Sequence, residues 1–160
     1  MIDFESLDTY KLIKAIVICK ESGEYLVDLI LDSKINPMLL SSFVGALSLF
    51  GKENLGKIEE INVKGLDVDM IVVHKYSLFL VFILDKQVNQ DGIRKEADRA
   101  LDLFYQAYAD QIENSIDVCK FEVFKDILLV QISEYFKDQK ENIKDFGFFT
   151  DAINRLKDKS

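Results

Sequence analysis

Residues 78–84 read LFLVFIL, an unbroken apolar run between Ser77 and Asp85. Successive side chains of a β-strand point to opposite faces, so this run places hydrophobic groups on both faces of its sheet. Both faces then need cover, which a sheet with one wet side does not provide. The stretch predicts a central strand in a three-layer domain, with helices above and below.

Working outward, Val68 to Lys75 (VDMIVVHK) reads as the preceding strand, joined through a turn at Tyr76-Ser77. Gly65-Leu66-Asp67 leads in from Ile58 to Lys64 (IEEINVK), a shorter strand whose charges suit a sheet edge. Upstream, 12–20 (LIKAIVICK) and Glu24 to Leu31 (EYLVDLIL) form a hairpin around Ser22-Gly23. Downstream, Asp91 is placed as the N-cap of an amphipathic helix. Its Ile93, Ala97, Ala100, Leu101, Phe104, Tyr108 and Ile112 recur at helical spacing, with Arg94, Lys95, Asp98, Arg99, Asp102 and Asp110 opposite. A second helix is predicted over Phe121 to Phe136, with Phe124, Ile127, Leu128, Ile132 and Tyr135 inward. Its segment DILLVQI also fits a strand, and length decides for helix. Residues 148–157 make a last short amphipathic helix, with Phe149, Ala152, Ile153 and Leu156 on one side. The predicted class is α+β, an α/β/α sandwich in the order β-β-α-β-β-β-α-α. Its five-stranded antiparallel sheet carries one helix on one face and two or more on the other.

The helix between the hairpin and the edge strand is the best functional clue. From Ile35 to Gly51 the chain reads INPMLLSSFVGALSLFG without one charge, although 30% of its residues are charged. Asn36 is expected as N-cap and Pro37 at the first helical position, with Gly51 and Gly56 bracketing the exit. Leu39, Leu40, Phe43, Val44, Leu47 and Phe50 fall on one stripe, expected to face the core. The opposite face carries Met38, Ser41, Ser42, Gly45 and Leu49, where a solvent-facing helix would carry charge. A front so uncharged is expected to pack against a second subunit. The competing expectation is that residues 148–157 cover it within the same chain. On the subunit reading, Ser41, Ser42 and Gly45 let two backbones approach, and Gly45→Arg breaks the dimer with the fold intact.

Bulk properties exclude several function classes. The 160 residues suit one compact domain, and one proline with 49% hydrophobic residues argues against disorder. A net charge of −8 disfavours nucleic acid and anionic membranes as partners. Cys19 and Cys119 lack metal-ligand spacing and fit a reduced, cytoplasmic setting. The start MIDFESLDTYKL has acids where a signal peptide has basic residues, and the uncharged stretch is too short for a membrane span. Membrane insertion is therefore not expected.

Nor does the sequence supply catalytic chemistry. The single histidine, His74, lies in a strand on the face of Val68, Met70 and Val72, as a packed or rim residue does. Asp67 with Asp69, and Asp98 with Asp102, read as solvated surface acids rather than the spaced oxygen ligands of a calcium loop. Neither GxGxxG nor a Walker-type glycine loop occurs, so the chain is not itself a P-loop GTPase. Phe79, Phe82, Phe104 and Phe124 fall on core periodicity and lack the basic neighbours of a base-stacking platform. No catalytic residue, cofactor or metal site is expected.

The element order over about residues 12–136, and the meander IEEINVKGLDVDMIVVHKYSLFLVFILD, resemble archaeal longin-like proteins of the roadblock/longin superfamily. A roadblock domain proper would begin with a helix, for which little room precedes Leu12, so longin is the better match. The resemblance implies a longin-like domain over 1–136 and a C-terminal extension over 137–160. It also implies a non-enzymatic dimeric platform that binds or regulates a small Ras-like GTPase, with itself or another longin or roadblock protein as partner. The mapped surface is helix 37–50 with edge 58–64, giving Met38, Ser41, Ser42, Gly45, Leu49, Glu59 and Asn62 as partner-binding residues. With no SNARE coiled coil in view, a vesicle-fusion role is not expected. An adaptor in a trafficking-type complex, recognising a peptide or another longin domain, is the second reading. A small-molecule sensor or enzyme with a pocket under the helix is the third.

Overall fold

The computed structural model describes residues 12–114 and 121–137. Strands β1 (Ile13–Lys20) and β2 (Tyr25–Ile30) form the first hairpin, and helix α1 (Pro37–Asn54) follows. The meander β3 (Glu60–Lys64), β4 (Val68–Lys75) and β5 (Leu78–Asp85) leads into α2 (Ile93–Asn114), and a further helix, α3, spans 124–137. All pairings are antiparallel, in the order β2-β1-β5-β4-β3. The fold is the α+β sandwich expected, and DILLVQI lies within the last helix.

β5 occupies the centre because its side chains satisfy both layers. Leu78, Leu80, Phe82 and Leu84 enter one core with Ile16 and Ile18 of β1, Leu101 and Phe104 of α2, and Phe124 and Leu128 of α3. Phe79, Val81 and Ile83 enter the other with Ala15, Val17, Cys19, Val72 and Val44 of α1. The period-two alternation of one strand thus divides the protein into two cores. A register shift between Ile13 and Ala15 lets β1 feed Ile13 and Ile16 to one side and Ala15 and Val17 to the other.

The larger core is rich in aromatic contacts. Phe104 lies 5.0 Å from Phe124 and 5.3 Å from Phe121, both within the usual range for paired rings. Tyr108 breaks the helical dihedrals inside α2 (φ −130°, ψ 17°) and packs edge-on against Phe121 at 5.1 Å.

Several local expectations need correction. Glu96 N–H donates to Gly92 O, so Gly92 (φ +83°), rather than Asp91, stands where α2 begins. Ile127 is exposed, whereas Phe124, Leu128 and Ile132 point inward. Asp69 is buried, not solvated. It accepts from Lys86 Nζ (2.7 Å), Gln90 Nε2 (2.9 Å) and Lys64 Nζ (3.3 Å), which ties the sheet to the loop before α2. Lys86's hydrogen bond holds its carboxyl below the usual range. Asp102 accepts from Lys75 Nζ (2.8 Å) and Tyr76 Oη (2.7 Å). The expectations for residues 1–11, Cys119, the 137–160 extension beyond Lys137, and the helix at 148–157 lie outside the described residues; Leu12 itself is helical.

Candidate interaction site

α1 starts as its sequence dictates. The Asn36 side chain accepts from Met38 N–H (3.0 Å) and Leu39 N–H (3.2 Å), and Pro37 follows at the first turn. Leu55 N–H donates to Gly51 O (2.8 Å), and Gly56 turns the chain away at φ +89°.

The orientation of α1 is opposite to the one expected. Its buried residues are Ser41, Val44, Ser48 and Gly51. Leu39 (69% exposed), Phe43 (47%), Leu49 (61%) and Phe50 (54%), with Met38, face away from the sheet. Of the six residues expected to face the core, only Val44 is fully buried; Leu40 and Leu47 are half-buried. Close approach to the β1–β2 turn explains the reversal. A Cβ on Gly45 would meet Ser22 O at 2.8 Å and Gly23 Cα at 3.0 Å. A Cβ on Gly23, at φ +95°, would meet Ser41 O at 2.7 Å. Only a face of small residues fits this contact, so the bulky residues turn outward. Burial costs Ser41 little, because its Oγ donates to Met38 O (3.2 Å) within the helix.

Two of the residues expected to bind a partner therefore serve the fold: Ser41 is buried and Gly45 is in backbone contact with the turn. Gly45→Arg would strike that contact instead of a partner. Met38, Ser42 and Leu49 lie exposed on one stripe with Leu39, Phe43 and Phe50, three residues whose spacing predicts a place in the core. The small-residue spacing Ser41, Gly45, Ser48, Gly51 was the signal that identifies the packed side.

The edge strand completes the surface. Among the described residues β3 pairs with β4 alone. His74 N–H donates to Glu59 O (2.9 Å), so alternation of the antiparallel ladder leaves the backbone of Glu60, Asn62 and Lys64 facing outward. The Glu59 carbonyl is thus engaged inward, while its side chain is exposed.

A polar cluster fixes the far end of α1. The Glu21 carboxylate accepts from Lys52 Nζ (2.6 Å) and lies 2.7 Å from His74 Nε2, joining the β1–β2 turn, α1 and β4. Lys52's hydrogen bond is the largest cause holding the Glu21 carboxyl below its usual value. His74 packs on Phe79 with ring centres 4.7 Å apart, as a rim histidine rather than one facing a cleft. Burial pushes the Cys19 thiol up to about 12, so it stays protonated and inert at neutral pH.

A cavity of about 510 Å³ lies where Lys20, Ser22, Tyr76, Ser77, Tyr105 and Glu113 converge, and none of its lining residues comes from α1. Among the described residues no group of three His, Cys, Asp or Glu side chains gathers to hold a metal. No described helix is long and apolar enough to cross a membrane.

No family model matches the chain, and no curated protein matches it. Solved structures match it in fold. The roadblock/LC7 domain from Streptomyces avermitilis aligns with a TM-score of 0.53 at 11% identity, covering 66% of this chain and 98% of that one. MglB of Myxococcus xanthus gives 0.49 at 17% identity, covering 65% and 91%. The gliding protein MglB from Thermus thermophilus gives 0.47 at 12%, covering 59% and 79%. At 11% identity, the likeness to the roadblock/LC7 domain is one of fold alone.

Proposed function

We propose that this chain is a non-enzymatic interaction module that pairs through α1 and β3, with a second copy or another domain of roadblock or longin type. The paired surface serves as a platform for a small Ras-like GTPase. The observation that carries the reading is the exposed stripe of Met38, Leu39, Phe43, Leu49 and Phe50 on a helix whose other side is already packed. Isolated exposed apolar residues are ordinary, but a contiguous row on one helix marks a contact surface. The β3 edge, which follows α1 in the chain and among the described residues pairs with β4 alone, adds backbone groups open to a partner. The GTPase follows from the family resemblance alone.

Magnitudes set the expected strength. Covering each of these half-exposed side chains contributes about 1 kcal/mol, or roughly 10 kcal/mol over both copies. Association costs on the order of 4–15 kcal/mol. The balance is at best about −6 kcal/mol, so pairing should depend on concentration, with a dissociation constant in the tens of micromolar or weaker.

Light scattering over that range tests the pairing. The wild-type chain should move from 18.4 kDa towards twice that mass, and Phe43→Glu should remain monomeric with an unchanged circular dichroism spectrum. A mass indifferent to both Phe43→Glu and Leu39→Glu would reject α1 as the surface. Calorimetric titration with a Ras-like GTPase, loaded in turn with GDP and with a non-hydrolysable GTP analogue, tests the platform role separately. The open edge also favours a second reading, an adaptor that takes an extended peptide as an added strand on β3. Binding that survives Phe43→Glu but is lost on blocking the edge would select it.

A further inference from the structure

A second apolar surface lies on the far side of the sheet from α1, on the helices that cover the larger core. Phe121 packs on Tyr108, Phe124 on Phe104, Gln131 bonds to Glu96, and Tyr135 Oη donates to Asp91 O. One number rises as the other falls, so α3 runs antiparallel to α2. Phe124, Leu128, Ile132 and Phe136 face the core. The outer side of α3 is apolar too: Ile127 and Val130 are exposed, and Val123 stands one turn ahead of them. Leu103 of α2 joins them along a groove of about 350 Å³ between the two helices.

The polar groups of this groove lack partners. Its floor includes Gln131, only 6% exposed. Gln131 Nε2 donates to Glu96 O (3.0 Å) and Glu96 Oε2 (2.8 Å). Both are acceptors, so the amide orientation is fixed and Oε1 is left buried without a hydrogen bond, a cost that an incoming donor would remove. Asp126 and Glu134 stand on the α3 wall, about 12 Å apart along the helix, and Arg99 stands on the α2 wall. All three are exposed and, among the described residues, in no ion pair.

We propose that this groove docks an amphipathic helix of a partner protein, with an apolar seam against Leu103, Ile127 and Val130. A donor within the seam meets Gln131 Oε1, and basic residues along one edge meet Asp126 and Glu134. An antiparallel helix pair presents ridges and grooves that a third helix fills. Apolar anchors at three- and four-residue spacing are how such a helix is held. The acidic α3 wall and the net charge of −8 select a basic edge over an acidic one. A second copy fits less well, since it brings the same net charge and one arginine against two carboxylates. The groove and the α1 stripe lie on opposite faces of the sheet, so each can be occupied without the other.

Fluorescence anisotropy of the full-length protein with a labelled synthetic peptide tests this. The probe is a helix of about 18 residues, long enough to hold its form, with a leucine seam broken by one asparagine and lysines along one edge. A second probe carries glutamates in place of the lysines. The lysine probe should bind the wild-type chain about fivefold more tightly than the glutamate probe, as two exposed ion pairs allow. The double variant Asp126→Lys/Glu134→Lys should reverse that preference, a gain that misfolding cannot imitate. Val130→Asp, at an exposed position, should weaken the lysine probe at least tenfold, while Phe43→Glu should bind it as the wild type does. Binding of neither probe, no reversal in the double variant, or indifference to Val130→Asp would overturn the proposal. Loss of the probe in Phe43→Glu would place it on the α1 stripe instead. A fall in dimer mass in Val130→Asp, read by light scattering, would assign the groove to a second copy.

Discussion

Gly45 and Gly23 show how one atom sets the direction of a helix. Their Cα atoms meet where α1 crosses the β1–β2 turn, and a methyl on Gly45 would stand 2.8 Å from Ser22 O. Gly45→Ala gains about 1 kcal/mol of helix propensity. The overpacking strain is about 1–3 kcal/mol, because the obstructing atoms are backbone and cannot rotate away. Strain wins, so the variant should unfold at lower urea concentration with an unchanged denaturant slope. The nearby Glu21 gives a pH-dependent counterpart. Lys52 holds its folded-state pKa below the ordinary 4.5. The resulting stabilisation is complete above that value and is lost as pH falls through the folded pKa. Glu21→Gln removes it. Urea titrations should find the variant less stable at neutral pH, with the gap to wild type closing as pH drops below about 4.5. A gap that persists at about pH 2 would assign the loss to packing instead of charge.

Legibility in the sequence differs between elements for a physical reason. β5 announced both cores because Leu80 and Val81 are neighbours that need cover on opposite sides, and that requirement is local. The start of α1 was equally local, through Asn36 and Pro37. Its rotation was not, because a helix apolar on both sides offers no polar contrast for periodicity to resolve. The deciding contact, Gly45 on Gly23, joins residues from separate elements. The burial of Asp69 is hidden from the sequence for the same reason: its partners Lys86 and Gln90 lie 17 and 21 residues away. Ile127 fits the inward spacing of α3, yet it borders the groove that α2 and α3 leave open. At the edge strand, the residue identities indicated exposure and the ladder adds direction. The backbone of Asn62 points outward, so Asn62→Pro removes no hydrogen bond to β4. It should fold with a melting temperature close to wild type, yet weaken pairing if β3 adds to the interface. Sedimentation velocity at matched concentrations reads that difference. Equal dissociation constants would confine the contact to α1.

At the scale of the whole molecule, two opposed forces act on association. Each copy carries a net charge of −8, so two copies repel, while the α1 stripe that would join them holds no ionisable side chain between Ile35 and Gly51. Screening acts on the first and leaves the second nearly untouched. The Debye length shrinks from about 10 Å at 0.1 M salt to about 3 Å at 1 M, which removes repulsion between all but adjacent charges. An interface held by ion pairs would loosen over that range. One held by Leu39, Phe43 and Phe50 should tighten, since only the opposing term is screened. The dissociation constant, followed by sedimentation equilibrium from 0.1 to about 1 M sodium chloride, should therefore fall as salt rises. A rise would place the contact on charged groups, such as Glu60 and Lys64 of the β3 edge, and remove the apolar stripe from the interface. In Phe43→Glu the mass should stay monomeric across the whole series, because a buried carboxylate opposes pairing at every salt concentration.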